Sequence, residues 1–218
     1  DPDYRYLNTV TSGKDVAGTA NTYSMVSYFG KLNYSYDSRY LASVTVRRDA
    51  SSRFGKYNNS GIFPSVSLGW RISNEKFMSS AKSWLDDLKL RVAWGVNGND
   101  MIDNSASYFL FRNDLNNGGY NINGDNTILE PGTVKTHSRN PYLRWEQTQQ
   151  TNVGLDMAFL SSRLTASFDF FDKQTKDMLY EPAYAAVLGE GGYSFQNVAA
   201  MSNRGFPVFD YQSLPDFA

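Results

Sequence analysis

The segment 88–99, LKLRVAWGVNGN, alternates between apolar residues and polar or small residues along its whole length. This period of two predicts a β-strand with one apolar face and one polar face. A strand of about 11 residues is about 36 Å long, and at a tilt of about 45° it rises about 25 Å, the height of the apolar band of an outer-membrane barrel. Strands of soluble proteins are usually about half that length, so the length favours a membrane-spanning strand.

Five further segments show the same alternation, and a sixth is expected to open another strand, so the sequence predicts about seven strands. The alternating segments are 26–37, 40–49, 64–73, 152–159 and 164–171, and the further strand is expected within 194–206. The compact connections at 37–39, 74–87 (a short helical turn) and 160–163 alternate with long loops at 50–61, 100–141 and 173–193. In an up-and-down meander, all compact connections then lie at one end and all long loops at the other, which is typical of outer-membrane barrels.

From this pattern we expect an all-β chain, an antiparallel up-and-down meander that is part of a large transmembrane β-barrel. The alternative is a soluble sandwich or lectin-like domain, which would also contain about seven strands. Its strands would be shorter, and Greek-key connections would join its two sheets. The pattern favours the barrel and leaves the sandwich open.

Composition excludes several classes of protein. The 218 residues carry a formal net charge of -1, so no strong positive field is available to bind nucleic acid. No apolar run approaches the roughly 18 residues of a membrane helix. The absence of cysteine excludes a disulfide scaffold and a thiolate metal site. The chain opens at Asp1 without a signal peptide, so we expect a processed or internal piece of an exported protein and favour an internal one.

Several short motifs occur in a fixed order along the chain. They are SYFGKLNY at 27–34, RYL at 39–41, RDASSRFG at 48–55, FPSVSLGW at 63–70, the stretch 84–99 that begins WLD, NPYLRWE at 140–146 and NRGF at 203–206. Together they resemble the barrel of SusC/RagA-type TonB-dependent transporters over about residues 23–206. Each motif alone is weakly specific, whereas the ordered set is highly specific.

This resemblance implies an outer-membrane importer of the Bacteroidetes type, with about 22 strands and an N-terminal plug inside the barrel. It implies uptake of glycans, peptides or other oligomeric nutrients, a SusD-like surface lipoprotein as partner, and energy from TonB. It also implies contact with outer-membrane lipid in a Gram-negative bacterium, and no cofactor. The rival interpretation is a secreted soluble carbohydrate-binding β-domain.

The chain divides into three predicted regions. Residues 1–22 are polar and read as an external loop, and residues 23–206 as a partial TonB-dependent receptor barrel of about seven strands. No plug or TonB-contacting segment is recognisable, so we expect a central barrel fragment. The tail at 207–218 diverges from the resemblance because Pro207 and Pro215 replace an expected alternating strand, and proline cannot donate to a strand ladder.

No catalytic, cofactor or metal site is predicted, and we expect a protein that is not an enzyme. His137 is the single histidine and lies in a polar loop without a recognisable triad. A glycan-cleaving enzyme would need two carboxylates across a cleft, and the sequence gives no means of pairing them. The NINGDN segment at 121–126 has oxygen ligands but lacks the complete pattern of a calcium loop.

Four charged residues at the end of the second predicted strand are candidates for structural or substrate contacts. Arg47, Asp49 and Arg53 could line the lumen or brace the following loop through charge-assisted hydrogen bonds, and we favour bracing. Arg48 falls on the apolar face, where its side chain is expected to extend to the membrane interface.

Aromatic residues fall into two groups. On the apolar face, the candidates for lipid contact or an interface girdle are Tyr34, Tyr36, Tyr40, Trp70 and Trp94. In or beside the long loop, the candidates for stacking against sugar rings are Tyr108, Phe109, Phe111, Tyr120, Tyr142 and Trp145. For each loop aromatic, packing in a loop core is the alternative, and we favour it.

Overall fold

The computed structural model describes residues 22–104, 106–107, 110–114, 119–122, 124, 130–183 and 194–206. Its strands are β1 (Met25–Tyr36), β2 (Tyr40–Ser51), β3 (Ser60–Arg71), β4 (Leu85–Asn99), β5 (Leu110–Asp114), β6 (Gly119–Tyr120), β7 (Glu130–His137), β8 (Glu146–Phe159), β9 (Leu164–Tyr180) and β10 (Gln196–Gly205). The predicted external loop before residue 22 and the tail at 207–218 lie outside the described residues.

Seven strands form one antiparallel sheet in the order β1-β2-β3-β4-β8-β9-β10. Each strand pairs with the next along this order, so the predicted up-and-down meander is confirmed. The compact connection between β3 and β4 contains two 3₁₀ helices, Ile72–Asn74 and Lys76–Ser83, where a helical turn was predicted. In the described part of the chain, no helix has the length and apolarity needed to cross a membrane.

Two predicted loops contain regular structure. The connection between β4 and β8 holds a second sheet in the order β5-β7-β6, although 100–141 shows no alternation. Strand β9 continues to Tyr180, well into the region predicted as irregular. The prediction missed this extension because the sequence DKQTKD at 172–177 is polar at every position, so no apolar face marks it as a strand.

The apolar side of the seven-stranded sheet is exposed. We call it the outward face; Tyr28, Leu32, Ile62 and Leu68 on it are 70%, 69%, 62% and 56% exposed. Within the described residues, no second sheet covers it. A soluble sandwich would bury this face against a second sheet, so the exposed face does not favour the alternative of a soluble β-domain.

The apolar part of the outward face crosses the sheet diagonally. One row of directly paired residues is apolar throughout: Tyr34, Ala42, Leu68, Val92, Val153 and Phe170. The next outward-facing row toward the long loops begins apolar and ends polar: Leu32, Val44, Val66, Trp94, Thr151 and Asp172. Strands of an outer-membrane barrel tilt by about 35–45°, so such a row leaves the apolar band as it crosses the sheet.

The opposite side, which we call the lumen face, carries mostly polar and small residues, although Phe29, paired with Arg47 and 78% exposed, also lies on it. Ser43, Ser67 and Ala93 lie side by side on β2, β3 and β4. They alternate with the outward-facing residues because successive side chains of a strand point to opposite faces.

A matched pair of substitutions tests which face contacts lipid. Leu68→Arg places a charge on the outward face and is expected to destabilise the full-length protein by about 2–4 kcal/mol near the bilayer midplane. Ser67→Arg places the same charge on the lumen face and is expected to be tolerated. Unfolding in lipid and abundance in the outer membrane measure both effects, and equal behaviour of the two variants would contradict the assignment of faces.

Candidate functional site

The long connections meet in an apolar cluster at one end of the sheet. Its buried members are Phe54, Phe63, Ile102, Ala106, Leu143 and Trp145. The Trp145 ring lies 5.2 Å from the Phe54 ring and 5.3 Å from the Phe63 ring, measured between centroids. Its indole Nε1 donates to the carbonyl oxygen of Asn59 at 3.2 Å. The cluster therefore ties the loop after β2 to the segment that leads into β8.

Trp145 was one of the candidates for substrate stacking, but its side chain lies inside the buried apolar cluster. It is only 4% exposed, so both of its ring faces are covered by protein. Packing in the loop core, the alternative that the sequence analysis favoured, describes its position. A substrate ring could reach it only if the cluster came apart.

Phe63 occupies a gap between two strands. Strands β3 and β4 pair from Arg71–Lys89 up to Ser65–Gly95, and no pairing continues above that point. The Phe63 ring lies so close to Gly61 and Gly98 that a Cβ at either position would be 2.5 Å or 2.1 Å from it. These glycines leave the space that the aromatic ring fills.

A polar network lies beside this cluster and centres on Asp100. Its carboxylate accepts hydrogen bonds from Tyr23 Oη at 3.0 Å and Ser51 Oγ at 2.8 Å. The Arg53 guanidinium donates to the Asp100 carbonyl at 2.9 Å and to Asn104 Oδ1 at 2.8 Å. Desolvation and the Asp100 carboxylate raise the pKa of Tyr23 above its ordinary value. Arg53 thus holds the loop after β2 against the segment after β4.

Arg47 and Asp49 are neighbours on the lumen face of β2. Arg47 Nε donates to Asp49 Oδ1 at 2.7 Å, and Arg47 Nη2 donates to Ser27 Oγ at 3.3 Å. Asp49 is 6% exposed, whereas the Arg47 side chain is 51% exposed. These contacts join β1 and β2 near the long loops and leave much of the Arg47 side chain accessible from the lumen.

The sequence analysis missed a charged cluster on the lumen face. Arg91 donates to Asp156 Oδ2 at 2.6 Å and Oδ1 at 2.8 Å, and reaches Asp169 Oδ1 at 3.2 Å. Arg91, Gly154 and Asp169 are paired in one row across β4, β8 and β9. Gly154 leaves the space for this bridge, because a Cβ there would lie 2.4 Å from Asp169 Oδ1. The sequence did contain a signal for this cluster, because residues of opposite charge occupy lumen-face positions on three predicted strands.

The five aromatic candidates of the outward face all lie on the sheet. Tyr34, Tyr36 and Tyr40 are 60%, 56% and 45% exposed. Trp94 is 36% exposed on β4, and the rings of Tyr36 and Tyr40 stack with centroids 6.4 Å apart. Trp70 Nε1 donates to Glu75 Oε1 at 3.0 Å, in the compact connection after β3.

Glu75 anchors that connection to two strands. Its carboxylate accepts hydrogen bonds from Tyr40 Oη at 2.7 Å, Trp70 Nε1 at 3.0 Å and Arg39 Nη1 at 3.0 Å. The hydrogen bond from Tyr40, followed by that from Trp70, lowers the pKa of Glu75 below its ordinary value. The carboxylate is therefore favoured in its charged form in the folded protein.

The aromatic residues in and beside the long loops were the candidates for substrate stacking, and those that the structure describes, apart from Trp145, are exposed. Tyr108 and Phe109 lie outside the described residues, Tyr120 is 58% exposed, and Phe111 is 62% exposed. Tyr57 and Tyr142 come from two different loops, are 75% and 71% exposed, and stack with centroids 6.1 Å apart. Tyr57 was not a sequence candidate, because only the three-dimensional contact between the loops shows that it belongs with Tyr142.

In the described part of the chain, His, Cys, Asp and Glu side chains form no group of three that could hold a metal ion. His137 lies in β7, within the small sheet. Within the NINGDN segment at 121–126, Asn121 is the one residue with a side-chain oxygen that lies in the described part. The site is therefore built from hydrogen bonds, ion pairs and aromatic contacts.

The family model described as TonB dependent receptor-like, beta-barrel matches residues 1–208. The chain belongs to the TonB-dependent receptor family. It is 37% identical to the TonB-dependent receptor SusC of Bacteroides thetaiotaomicron over 192 residues, which cover 86% of this chain and 18% of SusC. It is 36% identical to the TonB-dependent receptor P39 of Formosa agariphila over 203 residues, which cover 92% of this chain and 18% of that receptor.

A solved structure of the RagAB peptide transporter matches this receptor segment with a TM-score of 0.73 at 33% identity. The match covers 84% of this chain and 19% of the transporter chain. The chain thus spans slightly less than a fifth of the length of the receptors that it matches, at 18% and 19%. The predicted SusC/RagA-type resemblance, the transmembrane barrel and the outer-membrane location in Bacteroidetes are confirmed.

The gap filled by Phe63 yields a stability prediction for the full-length receptor. Gly98→Ala places a methyl group into the Phe63 ring, which cannot retreat because it packs on Trp145. We expect a loss of about 1–3 kcal/mol from overpacking. Gly30→Ala is the matched control, since nothing lies within 4 Å of its Cβ position. Thermal unfolding measures both variants; a Gly98→Ala protein as stable as Gly30→Ala would exclude a tightly filled gap.

The lowered pKa of Glu75 yields a pH prediction. Its contribution to folding stability is present above its ordinary pKa of 4.5 and is lost as the pH falls through the lowered folded-state value. Glu75→Gln lacks this contribution, so the stability difference between wild type and variant should shrink on acidification below about pH 4.5. Unfolding curves of both proteins between neutral and acidic pH provide the measurement, and a constant difference would rule out a role of the carboxylate charge.

Proposed function

We propose that this chain forms part of the wall and external mouth of a TonB-dependent importer of glycans or other oligomeric nutrients, including peptides. The observation that carries the proposal is the single-layered sheet, apolar and exposed on its outward face and polar on its lumen face. Such a wall separates hydrocarbon from an aqueous path through which a hydrophilic substrate can pass.

The chemistry of the lumen face agrees with a transport role. Arg91 is ion-paired with both Asp156 and Asp169, so one cation offsets one of the two negative charges, and the three side chains remain 38%, 36% and 33% exposed. The wall is therefore hydrated and carries hydrogen-bonding groups without a strong field of one sign. A path with that character suits neutral or weakly charged oligomers. No covalent step is assigned to these residues, and the proposed activity is transport, not catalysis.

Partners follow from the family and from the proposed direction of transport. TonB would supply energy through a plug, and a SusD-like surface lipoprotein would cover the mouth formed by the long loops. RagAB, a relative by structure, is a peptide transporter, which supports oligomeric substrates as the transported class. Cofactors have no part in this proposal.

We assign two roles to the exposed aromatic residues. Tyr34, Tyr36, Tyr40, Trp70 and Trp94 would contact lipid, with those nearest the compact connections at the membrane interface. Tyr57, Tyr120 and Tyr142 would offer ring faces to substrate at the mouth, together with the predicted Tyr108 and Phe109. Trp145 and Arg53 would brace the mouth because their contacts join one long connection to another. Arg47 and Asp49 would brace it because Arg47 bonds to Asp49 within β2 and to Ser27 of β1.

Removal of the small sheet tests whether the long connection captures substrate. Leu110 pairs with His137, so a short glycine-serine linker can replace residues 110–137 and leave Ile102 and Ala106 in the apolar cluster. In the full-length receptor we expect reduced uptake and binding of oligomers that support growth of the host. A Tyr57→Ser/Tyr142→Ser double variant should also bind more weakly, while Gly30→Ala serves as the neutral control.

Uptake and binding must be measured at equal abundance of receptor in the outer membrane. Unchanged uptake and binding after replacement of 110–137 would overturn capture by this loop. Uptake that persists without TonB would overturn the proposal of a TonB-energised importer.

A further inference from the structure

Two consecutive arginines of β2 lie on opposite faces of the sheet. Arg47 is on the lumen face, where it is hydrogen bonded to Asp49 and Ser27. Arg48 is paired in register with Tyr28 of β1 and Ile62 of β3, both of which belong to the outward face. The two cations therefore meet different environments although they are neighbours in the sequence.

The surroundings of Arg48 are apolar. Tyr28 on one side is 70% exposed and Ile62 on the other is 62% exposed. Val46, the preceding outward-facing residue of β2, is 47% exposed. In the part of the chain that the structure describes, Arg48 takes part in no ion pair, and the nearby Asp49 carboxylate is bonded to Arg47. Arg48 is thus a cation on a surface that otherwise faces hydrocarbon.

The height of Arg48 places it close to the external edge of the membrane. Tyr40 marks the opposite end of β2, and a span of eight residues at about 3.3 Å each gives about 26 Å along the strand. With a tilt of about 40° this corresponds to a rise of about 20 Å, within an apolar band about 25 Å tall. An extended arginine side chain can bridge the remaining distance and carry its guanidinium to the headgroup region.

Arg48 lies near the extracellular edge of the membrane and not near the periplasmic edge. Arg48 lies toward the end of β2 that continues into the loop at 52–59, whereas Tyr40 adjoins the compact turn after β1. In outer-membrane barrels the long loops are extracellular and the short turns periplasmic. The guanidinium of Arg48 therefore reaches the headgroups of the outer leaflet.

We propose that Arg48 is part of a binding site for a phosphate-bearing lipid of the outer leaflet. The planar guanidinium matches two phosphate oxygens with paired hydrogen bonds. Tyr28 and Ile62 flank it and contact the acyl chains of the same lipid. The site lies on the opposite face of the wall from the lumen, so it is separate from the proposed path of substrate and does not depend on it.

Lipid binding by the full-length receptor in phosphatidylcholine nanodiscs tests this site, with lipid A and fully dephosphorylated lipid A as probes. Arg48→Gln is expected to lower retention of lipid A about five-fold, the effect of one cation near an anionic membrane surface. Arg47→Gln is the matched control and should retain lipid A like the wild type. Arg48→Lys should retain an intermediate amount, because it keeps the charge and loses the bidentate geometry.

Native mass spectrometry of the nanodisc-extracted receptor counts the lipids retained by each variant, and thermal unfolding verifies that each variant is folded. Weak retention of dephosphorylated lipid A by every variant would support recognition of phosphate. Equal retention of lipid A by Arg48→Gln and wild type would overturn the proposal. Equal retention of the two lipids by the wild type, or an equal loss in Arg47→Gln, would also overturn it.

Discussion

The structure depends on pairing of the strand backbones, which is interrupted between β3 and β4 beyond Ser65 and Gly95. In hydrocarbon, an unpaired N–H or C=O group has no water to bond, so a membrane-spanning sheet must satisfy these groups through its own ladder. Strands β2, β3, β4, β8 and β9 each have a neighbour on both sides within the seven-stranded sheet. This pairing allows the wall to remain a single layer, because lipid covers the outward face in place of a second sheet.

The two faces of this wall are stabilised by different interactions. On the outward face, apolar side chains need only a hydrocarbon environment, and they form no protein core of their own. On the lumen face, ion pairs such as that of Arg91 with Asp156 connect neighbouring strands at 2.6 Å. Near the long loops, the cluster around Trp145 supplies the buried packing that the membrane-spanning part lacks. Wall and mouth are therefore stabilised separately.

The sequence predicted the membrane-spanning part of the fold well, and the reason is physical. Where lipid and water contact opposite sides of a strand, alternation is obligatory and can be read directly. Beyond the apolar band, water contacts both sides of a strand. The part of β9 after residue 171 and the β5-β7-β6 sheet therefore show no alternation of apolar and polar residues. The Arg91–Asp169 bridge joins residues 78 apart, and strand register was needed to bring them together. The burial of Trp145 likewise arises from loop contacts that no local pattern encodes.

The difference between a lipid-covered face and a packed gap also has a consequence for how sequence change is tolerated. Lipid chains are fluid and adjust to the shape of the protein, so an exchange of Leu68 for another apolar side chain of different volume leaves no void and no overlap. The space between Gly61 and Gly98 is bounded by solid protein on both sides, and its contents must keep one size. Substitutions that change side-chain volume are therefore tolerated across most of the wall. They are not tolerated where neighbouring strands separate and a side chain fills the space between them.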